Sequence, residues 1–200
     1  IGISRFLADP AWGTINFWVP VFFVETLHFS LKEIAMFVWL PFLMADLGCL
    51  ASGFVAKFFN ERGISLINSR RITFTIGAIL MTTIGLVSII ENPYIAVLLI
   101  SIGGFSHQLL STVAATLGAD LFKKNEVATA VGMAGACAWS GQLIFNLFIG
   151  AFVSIIGFGP FFIALAIFDL IGAAALWILI KDNKLTEDKH GHNNKLISSH

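Results

Sequence analysis

Residues 94–119, YIAVLLISIGGFSHQLLSTVAATLGA, contain no Asp, Glu, Lys or Arg. An α-helix needs about 20 mostly apolar residues to cross the hydrocarbon core of a bilayer, and this stretch is long enough. Inside lipid, every backbone N–H and C=O group must find a partner within the protein, which favours a helix over an open strand. The stretch therefore predicts a transmembrane helix.

Five further stretches have the same length and apolar character, and short polar or turn-forming segments separate them. The six predicted spans are 7–27, 34–56, 72–90, 94–119, 127–155 and 160–180. A β-barrel would require shorter strands of alternating polarity. We therefore expect an all-α membrane protein whose six transmembrane helices form one bundle over residues 1–181. A polar tail over residues 182–200 is expected to be disordered.

The composition agrees with a membrane protein. Hydrophobic residues make up 57% of the 200-residue chain and charged residues 12%, against about 25% charged residues in soluble domains. The net charge of zero argues against a nucleic-acid partner. No paired carboxylates, nucleophile–base pair or metal-ligand spacing is visible, so we predict no enzyme, no cofactor and no metal site. The first residue, Ile1, indicates a chain that begins within a longer protein.

The positions of Lys and Arg predict the orientation. If the six spans alternate in direction, every Lys and Arg except Lys32 falls on one side of the membrane. Cytoplasmic loops carry the excess of these residues. Both ends of the chain are therefore expected in the cytoplasm, in a multi-pass protein of the cell membrane, most simply a bacterial inner membrane.

The fourth predicted helix has a polar side. Two neighbouring stripes at helical spacing make up this side: Gly104, His107, Ser111, Ala115 and Gly118, then Gln108, Thr112 and Thr116. Polar groups are costly in lipid, so this side is expected to face protein or water. His107, Gln108 and Ser111 are candidate solute contacts, and an unperturbed histidine titrates near neutrality, which suits a proton site. The alternative is a structural histidine whose polar groups are satisfied.

The second predicted helix carries one carboxylate within an apolar run. Trp39, Asp46 and Gly53 are spaced by seven residues and therefore share one face of a helix. Asp46 is a candidate to bind a cation or carry a proton, and Trp39 is a candidate solute contact. The alternative is a carboxylate paired structurally at a helix contact.

Amide side chains mark the first and fifth predicted helices. Pro20 removes one helical hydrogen bond and frees a carbonyl near Asn16, which either caps this break or binds a solute. Gln142 and Asn146 lie one turn apart and suit a hydroxylated solute, or they form hydrogen bonds between helices. Small residues recur every four positions on the fifth helix, a spacing that lets helices approach closely. These are Ala128, Gly132, Ala136 and Ser140.

The third and sixth predicted helices are poorer in polar groups and are expected to be outer supports. Asp169 is the exception in the sixth helix, and we expect it to pair at a helix interface.

A basic loop is predicted between the second and third spans, at residues 57–71. Its Arg62, Arg70 and Arg71, together with Glu61 and the preceding Gly53, form a candidate conformational loop. Basic groups at helix ends bind carboxylates or helix C-termini of neighbouring helices and can latch one conformation. The alternative is that this loop is only a topology signal.

Several of these stretches carry a resemblance to a known family. Gly53, Glu61-Arg62 and Arg70-Arg71 resemble the second copy of the cytoplasmic loop motif of the major facilitator superfamily. RFLADPAW at residues 5–12, followed by FWVP at 17–20, is similar to the start of the seventh helix in hexuronate transporters of the anion:cation symporter family. Further similar stretches are LPF at 40–42, ADLG at 45–48, HQ at 107–108 and DLFKK at 120–124.

The resemblance implies that the chain provides helices seven to twelve of a twelve-helix carrier. It implies symport of an organic anion, such as a hexuronate, with protons by alternating access. The implied partners are that anion, protons, membrane lipid and the N-terminal half of the same carrier. In this family much of the proton coupling and anion recognition lies in the N-terminal half. A non-transporting membrane sensor or scaffold built on a carrier fold is the alternative.

Overall fold

The computed structural model describes residues 1–180, so the predicted tail at 182–200 lies outside the described residues. Within residues 1–180 all regular structure is helical, as predicted. Six helical units follow one another along the chain, several of them composed of consecutive segments. They are α1 (Gly2–Ala8, Pro10–Gly13, Thr14–Trp18 and Val19–Glu25), α2 (Leu31–Phe37 and Leu40–Glu61), α3 (Leu66–Met81 and Thr82–Ser88), α4 (Pro93–Leu121), α5 (Val127–Ile156) and α6 (Gly159–Leu179).

Five of these units, α2 to α6, are each long and apolar enough to cross a membrane. The first unit, α1, consists of shorter segments, one of which is a π-helix at Thr14–Trp18. Its segments follow one another from Gly2 to Glu25, so the helix begins at residue 2 rather than at the predicted residue 7. The first predicted span, 7–27, is therefore present in segmented form.

Local sequence signals fix the helix ends. Ser30 begins α2 with a capping box, in which its hydroxyl accepts from the Glu33 N–H and the Glu33 carboxylate accepts from the Ser30 N–H. Asn92 caps α4 by accepting from two backbone N–H groups, and Pro93 follows as the first helical residue. Gly157, with a φ of 72°, ends α5.

The predicted loop at residues 57–71 is mostly helical, which corrects the sequence prediction. Helix α2 continues to Glu61, and α3 begins at Leu66 after Ser65 accepts a hydrogen bond from the Asn68 N–H. Of the five conformational-loop residues, only Arg62 lies outside a helix, as the C-cap of α2. The sequence prediction was wrong here because charged residues continue a helix as readily as they interrupt a hydropathy pattern.

The helices pack in a repeated pattern. α1 contacts α5 and α6, α4 contacts α2 and α3, and α3 packs against α6. These pairings are the ones expected when α1–α3 and α4–α6 are two three-helix units related by a two-fold axis. No repeat is visible in the sequence, so the symmetry belongs to the packing.

Glycines let the paired helices touch backbone to backbone. A Cβ on Gly48 of α2 would overlap the Phe105 carbonyl of α4, and a Cβ on Gly104 of α4 would overlap the Pro41 carbonyl of α2. In the α1–α5 pair, a Cβ on Gly141 would overlap the Phe6 carbonyl. Both helix pairs therefore depend on residues without a side chain at the crossing.

Burial differs among the helices. α4 is the most buried span, whereas α2 and α5 are the least buried. Within residues 1–180, α3 and α6 are more buried than α2 and α5. The small-residue side of α5 is exposed, and a Cβ added at Gly132 would meet nothing within 4 Å in the described chain beyond its own turns of helix.

Candidate functional site

An ion pair in α1 ties that helix to α4. The Arg5 Nε lies 2.8 Å from Asp9 Oδ2, and Arg5 Nη2 donates to Asp9 Oδ1 at 3.2 Å. The 2.8 Å contact is an ion pair only, because the Arg5 Nε–H is not aligned for a hydrogen bond to Asp9 Oδ2. Arg5 Nη1 donates to the Ser111 backbone carbonyl at 3.2 Å. One guanidinium thus holds the carboxylate one turn away and the backbone of a second helix.

His107 of α4 lies beside this pair and is almost fully buried. Its Nε2 is 3.7 Å from Asp9 Oδ1, and its ring stacks on Trp12 with centroids 5.7 Å apart and planes at 11°. Trp12 in turn contacts Phe42 of α2 edge-on. The Nδ1 atom of His107 has no hydrogen-bond partner among the described residues. His107 therefore sits among protein groups of α1 and α4 within this half.

Asp169 of α6 completes a group of titratable residues. It is fully buried, and neither carboxyl oxygen has a hydrogen-bond partner within residues 1–180. Asp169 lies one turn before Gly172, where an added Cβ would meet the Ser4 carbonyl oxygen of α1 at 3.3 Å, so it lies on the side of α6 that packs against the helix carrying Arg5 and Asp9. We call Arg5, Asp9, His107 and Asp169 the charged cluster, which joins α1, α4 and α6.

The sequence reasoning missed most of this cluster. It used Arg5 as a topology signal and in the family resemblance, without assigning it a contact, and it expected Asp169 to be paired, yet Asp169 has no hydrogen-bond partner in the described chain. A usable signal was present in the sequence, because Arg5 and Asp9 lie four residues apart in a membrane helix. The meeting of these residues with His107 and Asp169 depends on helix packing, which no local pattern reports.

The predicted face of α2 is open. Trp39, Asp46 and Gly53 are all exposed, and a Cβ added at Gly53 would meet nothing within 4 Å among the described residues beyond its own turns of helix. These three residues do share one side of α2, and that side points away from the other helices of this half. Asp46 is therefore not buried at a helix contact formed by residues 1–180.

The amides of α5 meet α1 at a glycine. A Cβ on Gly13 would overlap both the Gln142 side chain and the Asn146 amide nitrogen. Gln142 is buried, and the Asn146 Oδ1 lacks a hydrogen-bond partner in the described chain. Asn16 lies one turn from Trp12 and donates to its carbonyl at 2.7 Å. The Asn16 amide therefore caps the Trp12 carbonyl. The carbonyl that Pro20 leaves without a donor is the backbone carbonyl of Asn16 itself, and this amide does not cap it.

The polar side of α4 is only partly buried. His107 and Ser111 are buried, whereas Gln108 is half-buried. Thr112 donates to the Cys49 Sγ of α2 at 3.3 Å. The polar side therefore faces protein over much of its length, one of the two environments predicted from the sequence.

The conformational-loop residues form two kinds of contact. Arg70 Nε lies 3.1 Å from Asp120 Oδ2, which links the start of α3 to the end of α4. Arg71 donates to the Trp177 carbonyl at 2.6 Å and stacks over the Trp177 ring, which links α3 to α6.

The other charged residues of the predicted conformational loop, Glu61 and Arg62, contact residues of α2. Glu61 pairs with Lys57 one turn earlier at 3.6 Å, and the Arg62 guanidinium lies over the Phe58 ring at 3.8 Å. All four residues lie in or at the end of α2. Only the two residues in α3 therefore join different helices.

A cavity of about 730 Å³ opens at the end of the bundle near Ile1. Its lining includes Phe122, Met133 and Cys137, and it contains none of the predicted solute contacts. This cavity is therefore separate from the predicted solute site.

Comparison with known proteins identifies the family. The Major Facilitator Superfamily matches residues 1–198. The chain belongs to this superfamily. Membership confirms the predicted multi-pass membrane bundle and the prediction that the chain comes from a transporter family rather than from an enzyme.

Three relatives are informative. The chain is 47% identical to the hexuronate transporter of Escherichia coli (strain K12) over 94% of its own length and 44% of that protein. It is 46% identical to the galacturonate transporter of Dickeya chrysanthemi over 48% of its length and 28% of that protein. The D-galactonate transporter of Escherichia coli O6:H1 is 23% identical over 89% of the chain and 41% of that protein. The chain thus spans less than half the length of these relatives.

Proposed function

We propose that the chain is the C-terminal half of a secondary transporter that takes up a hexuronate or a related sugar acid together with protons. The observation that carries this proposal is the 47% identity to a hexuronate transporter over nearly the whole chain. The similarity to a galacturonate transporter supports the same class of solute. The whole carrier would work by alternating access, with this bundle rocking against the N-terminal half.

The open sides of α2 and α5 support a missing partner half. An exposed carboxylate such as Asp46 is costly in contact with lipid, so it requires protein or water beside it. Trp39 lies on the same side of α2, and the small-residue side of α5 is equally uncovered. In the proposed carrier these sides face the N-terminal half and the water-filled cavity between the halves.

The solute site would lie at that interface near the membrane midplane. Amides of Asn16, Gln108 and Asn146, with Trp39, would meet the sugar hydroxyls, because amides both donate and accept hydrogen bonds. His107, Ser111 and Gln142 would support the site from behind, since all three are buried. The solute carboxylate would meet cationic groups of the N-terminal half, and Asp46 would bind a proton or cation.

The membrane orientation is part of the same proposal. The ends of the bundle that carry Arg62, Arg70 and Arg71 would face the cytoplasm of a bacterial inner membrane, since cytoplasmic loops are rich in Arg and Lys. The Arg70–Asp120 and Arg71–Trp177 contacts would then latch the cytoplasmic ends of three helices.

The test is uptake by the full-length protein in proteoliposomes. We expect saturable uptake of labelled galacturonate or glucuronate that an inward proton gradient accelerates and that excess unlabelled hexuronate competes away. A neutral hexose serves as the control solute and should not compete. Hexuronate binding without any uptake would instead support a sensor or scaffold, and neither binding nor uptake would reject the proposed solute class.

A further inference from the structure

The charged cluster lies within the helix bundle, where a net charge is costly. We propose that this cluster holds one exchangeable proton, carried on the carboxyl group of Asp169. The proton site itself is independent of the solute, whereas its link to transport rests on the proposed function.

The first step is the burial of Asp169. Its side chain is inaccessible to solvent, and neither oxygen accepts a hydrogen bond within residues 1–180. An ionised carboxylate in such a place loses its hydration without any replacement, which is a far greater cost than burying a neutral acid. The position therefore suits the protonated form.

The second step is the charge balance around it. Arg5 is the guanidinium of the cluster, and its N–H groups are directed to Asp9 and to the Ser111 carbonyl. The cluster therefore contains one guanidinium and two carboxyl groups, those of Asp9 and Asp169. With His107 neutral, a single added proton makes the cluster neutral, the state that a low-dielectric bundle favours.

Within residues 1–180, the other helices around α6 offer Asp169 no uncommitted positive charge. On α3 the charged groups are Arg70 and Arg71, which bind Asp120 and the Trp177 carbonyl, and Trp177 lies two turns beyond Asp169. Helix α5 contains no Asp, Glu, His, Lys or Arg. On α4, the cluster member His107 has its Nε2 directed to Asp9.

A metal ion is the other cation that would balance two carboxylates. Within residues 1–180, no three His, Cys, Asp or Glu side chains converge closely enough to hold one. A proton needs no such convergence of ligands, so it fits the observed geometry.

The arrangement also gives the proton a way to exchange. Arg5 and Asp9 lie on α1, whereas Asp169 lies on α6. If α1 shifts against α6 so that Arg5 approaches Asp169, the positive charge stabilises the carboxylate and the proton leaves to water. The reverse shift takes a proton up again. No bond other than the O–H bond changes.

The direct test uses infrared spectroscopy of the full-length protein in lipid at neutral pH. We expect a carboxylic-acid C=O band that shifts in D₂O in the wild type and is missing in Asp169→Asn. Asp120→Asn, at the ion pair with Arg70, is the matched control and should retain the band. An identical band intensity in wild type and Asp169→Asn would overturn the proposal.

A second variant, Asp9→Asn, retains Asp169 and therefore tests the charge balance even if Asp169→Asn misfolds. In Asp9→Asn, Arg5 has only Asp169 left as a carboxylate partner, so Asp169 should ionise although it is still present. We therefore expect the same band to disappear in Asp9→Asn. A band that persists in this variant would contradict the charge balance on which the proposal depends.

The link to transport is tested separately, with Asp169→Asn in proteoliposomes. Because this variant cannot release a proton at residue 169, we expect hexuronate exchange within about twofold of wild type but at least tenfold less accumulation driven by a proton gradient. Wild-type accumulation in this variant would overturn the coupling role. If the wild type transports no hexuronate, the proposed function fails, and the infrared result still decides the proton site.

Discussion

Gly48 of α2 lies directly against the backbone carbonyl of Phe105 in α4, so the two helices touch without an intervening side chain. We predict that Gly48→Ala lowers the stability of the full-length protein by about 1–3 kcal/mol, because the added methyl group forces the backbones apart. A thermal melt in detergent measures this effect.

The matched control for that change is Gly53→Ala, in the same helix. A Cβ added at Gly53 would meet nothing within 4 Å among the described residues beyond its own turns of helix. Replacing an unconstrained helical glycine by alanine removes a cost of about 0.5–1 kcal/mol, so this variant should melt at or slightly above the wild-type temperature. Equal destabilisation by both substitutions would show that the close contact at Gly48 is not the cause.

Neighbouring residues of α4 should respond differently to truncation. The sequence alone predicts the same outcome for His107→Ala and Gln108→Ala, with uptake impaired and folding unchanged. In the structure His107 is buried between Trp12 and Asp9, whereas Gln108 is half-buried. We therefore expect His107→Ala to cost about 1–3 kcal/mol of stability.

Gln108→Ala should instead leave the melting temperature near wild type and reduce hexuronate uptake about tenfold, a change of about 1.4 kcal/mol. Melts and uptake curves on both variants provide the comparison. Normal uptake by Gln108→Ala would remove this residue from the proposed solute site.

The Arg70–Asp120 ion pair should couple α3 to α4 energetically. Both side chains are about four-fifths buried, with 19% of each exposed. A double-mutant cycle with Arg70→Ala and Asp120→Ala should give a coupling energy of about 0.5–1 kcal/mol, the upper part of the range for partly exposed pairs.

Lys57 and Glu61 provide the comparison for this cycle. This pair is mostly exposed, with 70% and 65% of the two side chains accessible. Solvent screens such pairs, so the same cycle should give no measurable coupling. Equal coupling in the two cycles would mean that the Arg70–Asp120 contact has no special structural role.

The orientation is testable by cysteine labelling in intact cells. In a full-length protein that lacks Cys49 and Cys137, a membrane-impermeant maleimide should label Glu91→Cys but not Glu61→Cys. Both positions are exposed and lie at opposite ends of the bundle. The expectation follows from the excess of Lys and Arg on the Glu61 side. The reverse labelling pattern would place that side outside the cell.

The sequence predicts the spans well because hydrophobic length dominates their formation. Residues 127–155 were predicted as the fifth span, and α5 extends over Val127–Ile156. The prediction was poorer at 57–71, where charge was taken as a loop signal although α2 and α3 extend into this region. Charge reports the border of the membrane, whereas the end of a helix depends on its caps.

The charged cluster was not predictable in the same way. Arg5 and the Ser111 carbonyl are separated by 106 residues in the chain, and only the packing of α1 on α4 brings them together. Asp169 joins them from α6. Helical periodicity identifies which residues share a face, but it does not identify the face of another helix that lies opposite. The shared face of Trp39, Asp46 and Gly53 on α2, by contrast, follows directly from their seven-residue spacing, whereas the openness of that face is seen only in the structure.

The π-helical segment Thr14–Trp18 gives α1 one residue more than a regular α-helix would need over the same length. Here the Val19 N–H donates to the Thr14 carbonyl, five residues back. Removing one residue from this segment would restore an α-helical turn and leave the helix beyond it nearly in place. Each residue turns an α-helix by about 100°, so removing a residue between Val19 and Phe22 would instead rotate Phe22 away from Phe158 and Phe162, against which it now packs edge-on. A one-residue deletion should therefore be tolerated more readily within Thr14–Trp18 than after it.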